Sequence, residues 1–414
     1  MRSWSGHVEF AASGFASPTT LEELQHLVAS TDLLHPIGTM HSFNDVADTT
    51  GLHVSVASLP QDVDIDAATS IAWIPAAMRY GDAARILDSR GWAFHNMASL
   101  GHISVAGSVA TGTHGSGDRN PTLSAMVEGL ELVTATGDVV TVVPDTASDL
   151  LAGSVVGLGA LGIVTKVGVR VQPRFDVQQL VFDGITHAAL LDDFDHAFSS
   201  AYSVSYFTTW TPEQRGQIWM KRRVGFDPDW TQVEWLGGTL ADAKRHPLPG
   251  HDAVHCTDQG SSVGAWHERL PHFRLDFTPS SGDELQTEYL VPRSEAVQLL
   301  RDLDALAPRI APLLYVSEIR TMCADDLWLS GAYGRDTVGI HFTWRQTPAV
   351  QDLLPELDEL LGALGGRPHW GKLYVADPAA VAGRYPRFAD FASLAEGMDP
   401  THKFRNRTLD ALLG

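Results

Sequence analysis

Glu318 and Arg320 stand two apart in a segment that reads as a strand, so both side chains leave from one face. His341 and Thr343 share that spacing on another extended segment, and Lys372 follows Trp370-Gly371 further along the chain. A carboxylate, a guanidinium, an imidazole, a hydroxyl and an amine are the groups needed to hold a hydroxylated molecule and move its proton. Each also has an ordinary reading. Glu318 and Arg320 suit a surface ion pair, and His341 beside Phe342 and Trp344 suits a packed core.

Two glycine- and histidine-bearing segments form a second group. Gly38-Thr-Met-His41-Ser follows directly on residues 33–37, which read as a short buried strand. Glycine permits a tight turn, and successive backbone N–H groups in such a turn form an anion nest. Neither a G-x-G-x-x-G in context nor G-x-x-x-x-G-K-[ST] occurs, so alone this loop reads equally as a structural turn carrying a surface histidine. Residues 96–117 are small at nearly every position, with the hydroxyls of Ser99, Ser104, Ser108, Thr111 and Thr113 interleaved. A backbone this bare suits close approach to a large flat ligand and its phosphates. The embedded Ile103, Val105 and Val109 set it apart from a flexible linker.

The elements that must position these groups are legible in outline. Thr20-Leu-Glu-Glu23 reads as a capping box, with Leu21, Leu24, Leu27 and Val28 following at helical spacing. A second helix is predicted over 80–90, capped by Gly91. Between the two lie an alternating segment at 53–56 and an apolar run at 71–74, giving a β-α-β order. From 126 to 143 the pattern turns to strands, with Thr136-Gly-Asp138 as a hairpin turn. Residues 163–171 alternate cleanly and stop at Pro173, which places the main domain boundary near 175. Beyond it, 203–210, 217–221, 285–291 and 339–344 read as extended, and Ser294 is expected to cap a helix lined by Val297, Leu300, Leu303 and Leu306. The class is α+β, with a strand-rich domain whose sheet keeps one face free for a ligand. Two domains also fit a chain of 414 residues.

Composition narrows the partners. Fifty acidic against 29 basic residues give a net charge of -21, which repels a phosphate backbone, so no nucleic-acid partner is expected. The two cysteines, Cys256 and Cys323, are far apart and read as thiols. The 18 histidines form no H-x-H cluster, and no metal is expected. No apolar run approaches the ~20 residues that span a bilayer, and the N-terminus lacks the apolar core of a signal peptide. A soluble cytoplasmic protein without a membrane partner is expected.

The order of these segments carries a resemblance. The chain resembles the FAD-linked oxidases of the vanillyl-alcohol oxidase superfamily and, within it, the alditol oxidases. The matching stretches are 38–44, 96–117, 159–165, 317–321, 341–344, 369–372 and 399–406. The resemblance implies an FAD-binding domain at 1–175, a substrate-binding cap at 176–375, and a segment at 376–414 that returns to the FAD domain.

It further implies FAD bonded through its 8α-methyl carbon to His41. Pro36, Ile37, Gly38, Thr39, Met40, Ser42, Ser99, Ser104, Gly107, Thr111, Gly112, Thr113, His114 and Val164 would hold the cofactor, with His369 reaching it from the cap. Arg320, Lys372, Glu318 and His341 would be catalytic, and Ser99, Glu318, Arg320, Thr343 and Lys372 would bind substrate. Arg320 would depress the Lys372 pKa so that the amine could accept the hydroxyl proton. Met40 and Gly101 depart from the family pattern, where another small residue and a proline are expected. The implied reaction converts the terminal C1 hydroxyl of an alditol such as xylitol or sorbitol to the aldose, with O2 reduced to H2O2. A monomer acting on a small polyol is expected. The rival readings are an aldonolactone oxidase or dehydrogenase on the same fold and a non-catalytic flavin- or sugar-binding protein.

Overall fold

A computed structural model describes residues 1–144, 149–211, 216–277 and 284–414. The apolar segment before the His41 loop forms strand Leu34–Pro36. It is the last of three short parallel strands, in the order Gly14–Ala16, Leu52–Val54, Leu34–Pro36. An antiparallel sheet follows, ordered Asp64–Asp66, Ile71–Pro75, Ile163–Arg170, Val127–Val133, Val139–Val142. Its alternating valines, Val167 and Val169, are buried with Ala83, Ala84 and Leu87 of helix Tyr80–Ser89 and Val105 and Val109 of helix Val105–Ala110. Gly91, at φ 81°, lets the chain leave the first of these helices without the strain a side chain would bring.

The helix starts differ in detail from expectation. Thr20 does cap helix Leu21–Ser30, accepting from the Glu23 amide at 3.2 Å. The Glu23 carboxylate, however, accepts from the Thr19 amide at 2.8 Å, so the box closes one residue earlier than its reciprocal form. Ser294 is not a helix cap: it lies inside a 3-10 turn, Arg293–Glu295, and its hydroxyl donates to Glu295. Helix Ala296–Ile310 then grows out of that turn with no side-chain cap, so its first amides lean on the preceding turn.

The larger sheet has ten strands among the described residues. Its central run is Asp176–Ile185, Gly216–Arg223, Ser203–Thr208, Leu314–Met322, Thr337–Arg345 and Glu284–Pro292, every neighbour antiparallel. Helices Ala296–Ile310 and Pro348–Ala363 cover one face, where Leu299, Leu303, Leu353 and Leu357 meet Ile319, Ile340, Phe342 and Trp344 in one apolar cluster. Because side chains alternate, residues one position along each strand must point the other way. That opposite face carries Gln286, Glu288, Glu318, Arg320, His341 and Thr343.

The polar stretch near the C-terminus is tied to the N-terminal strands. The Leu34 amide donates to the Lys403 carbonyl at 2.9 Å, and the Asn406 amide group donates to the Val46 and Asp48 carbonyls, each at 2.9 Å. Cys256 and Cys323 are both free thiols. No helix among the described residues is long and apolar enough to cross a membrane.

Candidate active site and cofactor cavity

The register of three adjacent strands sets the polar centre. Glu318 pairs with His341, and His341 pairs with Glu288, so the three stand in a row across the sheet. Glu288 is the hub. Its Oε1 accepts from Arg320 Nη2 at 2.7 Å and lies 3.1 Å from His114 Nε2, while Oε2 accepts from His341 Nδ1 at 3.2 Å. Arg320 also reaches the Ser99 hydroxyl at 3.3 Å, and its Nε stands 3.6 Å from Glu318 Oε1. Opposite Arg320 the next strand has Gly339. A Cβ there would come within 3.3 Å of His114 and 3.4 Å of Glu288, so the bare backbone makes room for the imidazole.

Hydrogen-bond direction follows from ionisation. Burial alone would raise the Glu288 carboxyl, but Arg320 and His114 outweigh it and hold it well below the usual range. Glu318 is likewise held down by Arg320 and His272 against its own burial. Both are therefore carboxylates that only accept. His341 Nδ1 must donate to Glu288, so its Nε2 accepts from Thr343 Oγ1 at 3.1 Å. The Thr343 oxygen keeps its remaining acceptor capacity for another hydroxyl.

Lys372 arrives from outside the sheet. Its backbone amide donates to the His369 carbonyl at 2.9 Å, its Nζ to Gln286 Oε1, and the ammonium lies 4.9 Å over the Phe43 ring. Burial lowers its pKa to about 8, with Arg320 adding to the shift and Glu288 opposing it. The expectation that Arg320 drives this depression is thus corrected: loss of solvent is the larger cause, because an ammonium group leaving water loses more than one like charge takes away.

These groups face a cavity of about 710 Å³, whose other walls are the His41 loop and residues 98–114. That volume lies within the range of ~300–1,000 Å³ seen for small-molecule sites. The loop is clamped to the Lys372 segment: Asn44 donates to the Trp370 and Lys372 carbonyls, each at 2.8 Å, and the Phe43 amide to the Gly371 carbonyl at 2.8 Å. Gly38 and Gly107 close in on one hydroxyl. A Cβ at either would lie 2.5 or 2.7 Å from Ser104 Oγ. Met40 takes φ 59°, a left-handed conformation that a side chain enters at some strain.

His41 stacks on Trp4, with ring centroids 4.9 Å apart. Both its ring nitrogens are buried, and among the described residues neither has a partner within hydrogen-bond geometry, the Thr39 backbone lying near but misaligned. Burial, helped by His102 and Lys372, lowers its pKa to about 4, so the imidazole is neutral with a nitrogen lone pair free. A buried polar atom without a partner is costly, and bonding to a ligand removes the cost. The residues present therefore fit an FAD held at this loop.

Of the expected cofactor residues, Pro36, Ile37, Gly38, Thr39, Met40, His41, Ser42, Ser99, Ser104, Gly107, Thr111, Thr113, His114, Val164 and His369 line this cavity, as do all the expected catalytic and substrate residues. Gly112 does not. At φ 69° it turns the chain just after helix Val105–Ala110, a role in shaping the wall rather than forming it. The sequence reading missed Glu288, Gln286, His272 and Trp4. A signal was available for the first two: Glu284, Gln286 and Glu288 recur every second residue in a strand whose other face is Leu285, Thr287 and Tyr289. Nothing local marks Trp4.

Comparison with known proteins gives three findings. An FAD-binding domain family matches residues 12–143, and a D-arabinono-1,4-lactone oxidase family matches 283–412. An alditol oxidase from a Streptomyces species is 43% identical, over 99% of this chain and 98% of the relative. An L-gulono-1,4-lactone dehydrogenase from Mycobacterium tuberculosis is 26% identical over 99% and 98%. Among solved structures, cholesterol oxidase from Brevibacterium sterolicum superposes with a TM-score of 0.79 at 13% identity, covering 100% of this chain and 96% of that one.

Proposed function

The chain belongs to the FAD-linked oxidases, in the alditol oxidase family, and on that premise we propose that it oxidises the terminal C1 hydroxyl of an alditol such as xylitol or sorbitol. The products are the aldose and hydrogen peroxide: the alcohol loses two electrons and two protons, and O2 gains them. His41 would hold the FAD, which when bound would supply the hydride acceptor and the route of the electrons to oxygen. The division into an FAD-binding part at 1–175, a cap at 176–375 and a returning segment at 376–414 is part of the same reading. It is supported by the bonds from 403–406 to strand residue Leu34 and to the loop carbonyls of Val46 and Asp48.

The observation that carries the reading is one cavity wall holding His41, whose nitrogens meet no hydrogen-bond partner among the described residues, and the facing wall holding Arg320, Lys372 and Glu318. Neutral Lys372 accepts the hydroxyl proton at Nζ, while the Arg320 guanidinium stabilises the developing alkoxide. Glu318 and Thr343 present acceptors, and Arg320 and Lys372 present donors. A polyol, whose hydroxyls both give and take hydrogen bonds, satisfies all four. Such a site rejects analogues that leave one of them unpaired.

Two outcomes test this. His41→Ala should leave any bound FAD extractable by acid, whereas the parent protein should stay yellow after precipitation; covalent flavin surviving the change would move the attachment, with His114 next in line. The rate should also follow Lys372. Because its pKa is lowered to about 8, kcat/KM should rise with pH through about 8 as the amine loses its proton, then level off. A profile flat between pH 6 and 9 would remove Lys372 as the base. The lactone family match at 283–412 favours an aldonolactone as the second reading. Parallel assays with xylitol and L-gulono-1,4-lactone, with oxygen and with a dye as acceptor, separate the two.

A further inference from the structure

Behind Glu318 lies a buried pair of side chains that the reaction as read above does not use. In strand Gly216–Arg223, Ile218 and Met220 enter the apolar cluster under the helices, so Trp219 and Lys221 face the other way. Lys221 is only 1% exposed. Its Nζ donates to the Leu270 carbonyl and lies 3.1 Å from His272 Nδ1. His272 Nε2 in turn lies 2.8 Å from Glu318 Oε1. The imidazole is wedged edge-on between Phe207 and Trp219, each ring centroid 5.2 Å away, and the His272 amide donates to the Ser99 carbonyl at 2.8 Å.

We propose that Lys221 and His272 form a positioning relay that fixes Glu318 as an anionic acceptor with one oxygen free for a substrate hydroxyl. The proposal rests on the reading of Glu318 as a polyol-binding group.

The proton count supports it. A carboxylate only accepts, so the 2.8 Å contact requires the proton on His272 Nε2. At the other ring nitrogen, Lys221 donates to a bare Nδ1, as the ammonium or as the neutral amine, or a protonated Nδ1 donates to the neutral amine. Every arrangement keeps Nε2–H on Glu318, and the pair carries one positive charge whenever the lysine or the ring holds the extra proton. Burial lowers Lys221 to about 7 and, with Lys221 beside it, His272 to about 4, so the charge resides mainly on the lysine. Besides His272, the groups acting on Lys221 are Glu318, Arg320 and Cys256.

Two carboxylates therefore meet two cationic partners. Arg320 serves Glu288 at 2.7 Å, and the Lys221–His272 pair serves Glu318. With Oε1 of Glu318 taken by His272, its Oε2 has no hydrogen bond among the described residues, and Glu318 is one of the residues that line the cavity.

A double-mutant cycle tests the relay on the flavin-loaded enzyme with xylitol. Lys221→Met keeps the stem and removes the donor and charge. In the parent background kcat/KM should fall at least 10-fold, mostly through KM. In a Glu318→Gln background the same change should matter less than 2-fold, because the group it acts through is gone. An equal fall in both backgrounds, or none in the parent, overturns the proposal. If Glu318→Gln alone matches the parent, the polyol-binding reading of Glu318 fails instead. Should Lys221→Met not fold, His272→Gln and His272→Leu replace it. Glutamine keeps an acceptor for Lys221 and a donor for Glu318 and should stay within about 3-fold of the parent, while leucine should lose at least 10-fold; equal values for the two overturn the relay.

Discussion

Replacing Lys372 with methionine should lower kcat on xylitol by about 10³-fold, within the range of ~10²–10⁴ that a positioned proton acceptor contributes. Methionine keeps the length and apolar stem that lie over Phe43, so the change removes the amine and little else. What is lost is the group that takes the hydroxyl proton as the carbinol C–H bond breaks. The limb of the pH profile near 8 should vanish with it. The measurement is anaerobic flavin reduction by stopped flow, which isolates the step from reoxidation. A variant that reduces its flavin within 10-fold of the parent would hand the base role to another residue, and His341 would be the first to examine.

Removing Glu288 should be the most damaging change to stability. Its carboxylate is 2% exposed and neutralises Arg320 at 2.7 Å while orienting His341. Glu288→Leu leaves Arg320 with the neutral Ser99 hydroxyl at 3.3 Å and a 3.6 Å approach to Glu318, and breaking a buried pair this way costs about 3–5 kcal/mol. Glu288→Gln should cost less, because its amide oxygen still accepts one bond. Urea unfolding followed by tryptophan fluorescence gives the difference; a Glu288→Leu protein within ~1 kcal/mol of the parent would mean that water or the cofactor replaces the carboxylate. The sign with pH is fixed by the lowered pKa. A carboxyl held below its ordinary 4.5 contributes stability above that value and loses it as pH falls through the window beneath. The parent should therefore weaken steeply below about pH 4.5, and Glu288→Leu more shallowly.

Much of this site can be read along the chain. The i, i+2 spacing assigns Glu318 with Arg320, and His341 with Thr343, to common strand faces, and the three-dimensional arrangement keeps them there. The small residues from Ala98 to Thr113 do line a cavity, apart from Gly101 and Gly112. These features are local. Period-two alternation and the conformational freedom of glycine act over a few residues, so a sequence displays them directly.

What a residue meets across the sheet is different in kind. That Glu288 stands next to His341, which stands next to Glu318, depends on the register of strands that are up to 53 residues apart in sequence. Register is set by which faces can be buried together, a property of the whole sheet. Lys221 shows the same limit most sharply. It closes the segment 217–221 that reads as extended, where nothing marks its partner, and the fold buries it against His272. The sequence by itself determined the strand faces, the bare-backbone loops and the identity of the chemical groups. Only the tertiary structure decided their partners, and through them which carboxylates are ionised, which imidazole nitrogens carry protons and why His41 meets no hydrogen-bond partner among the described residues.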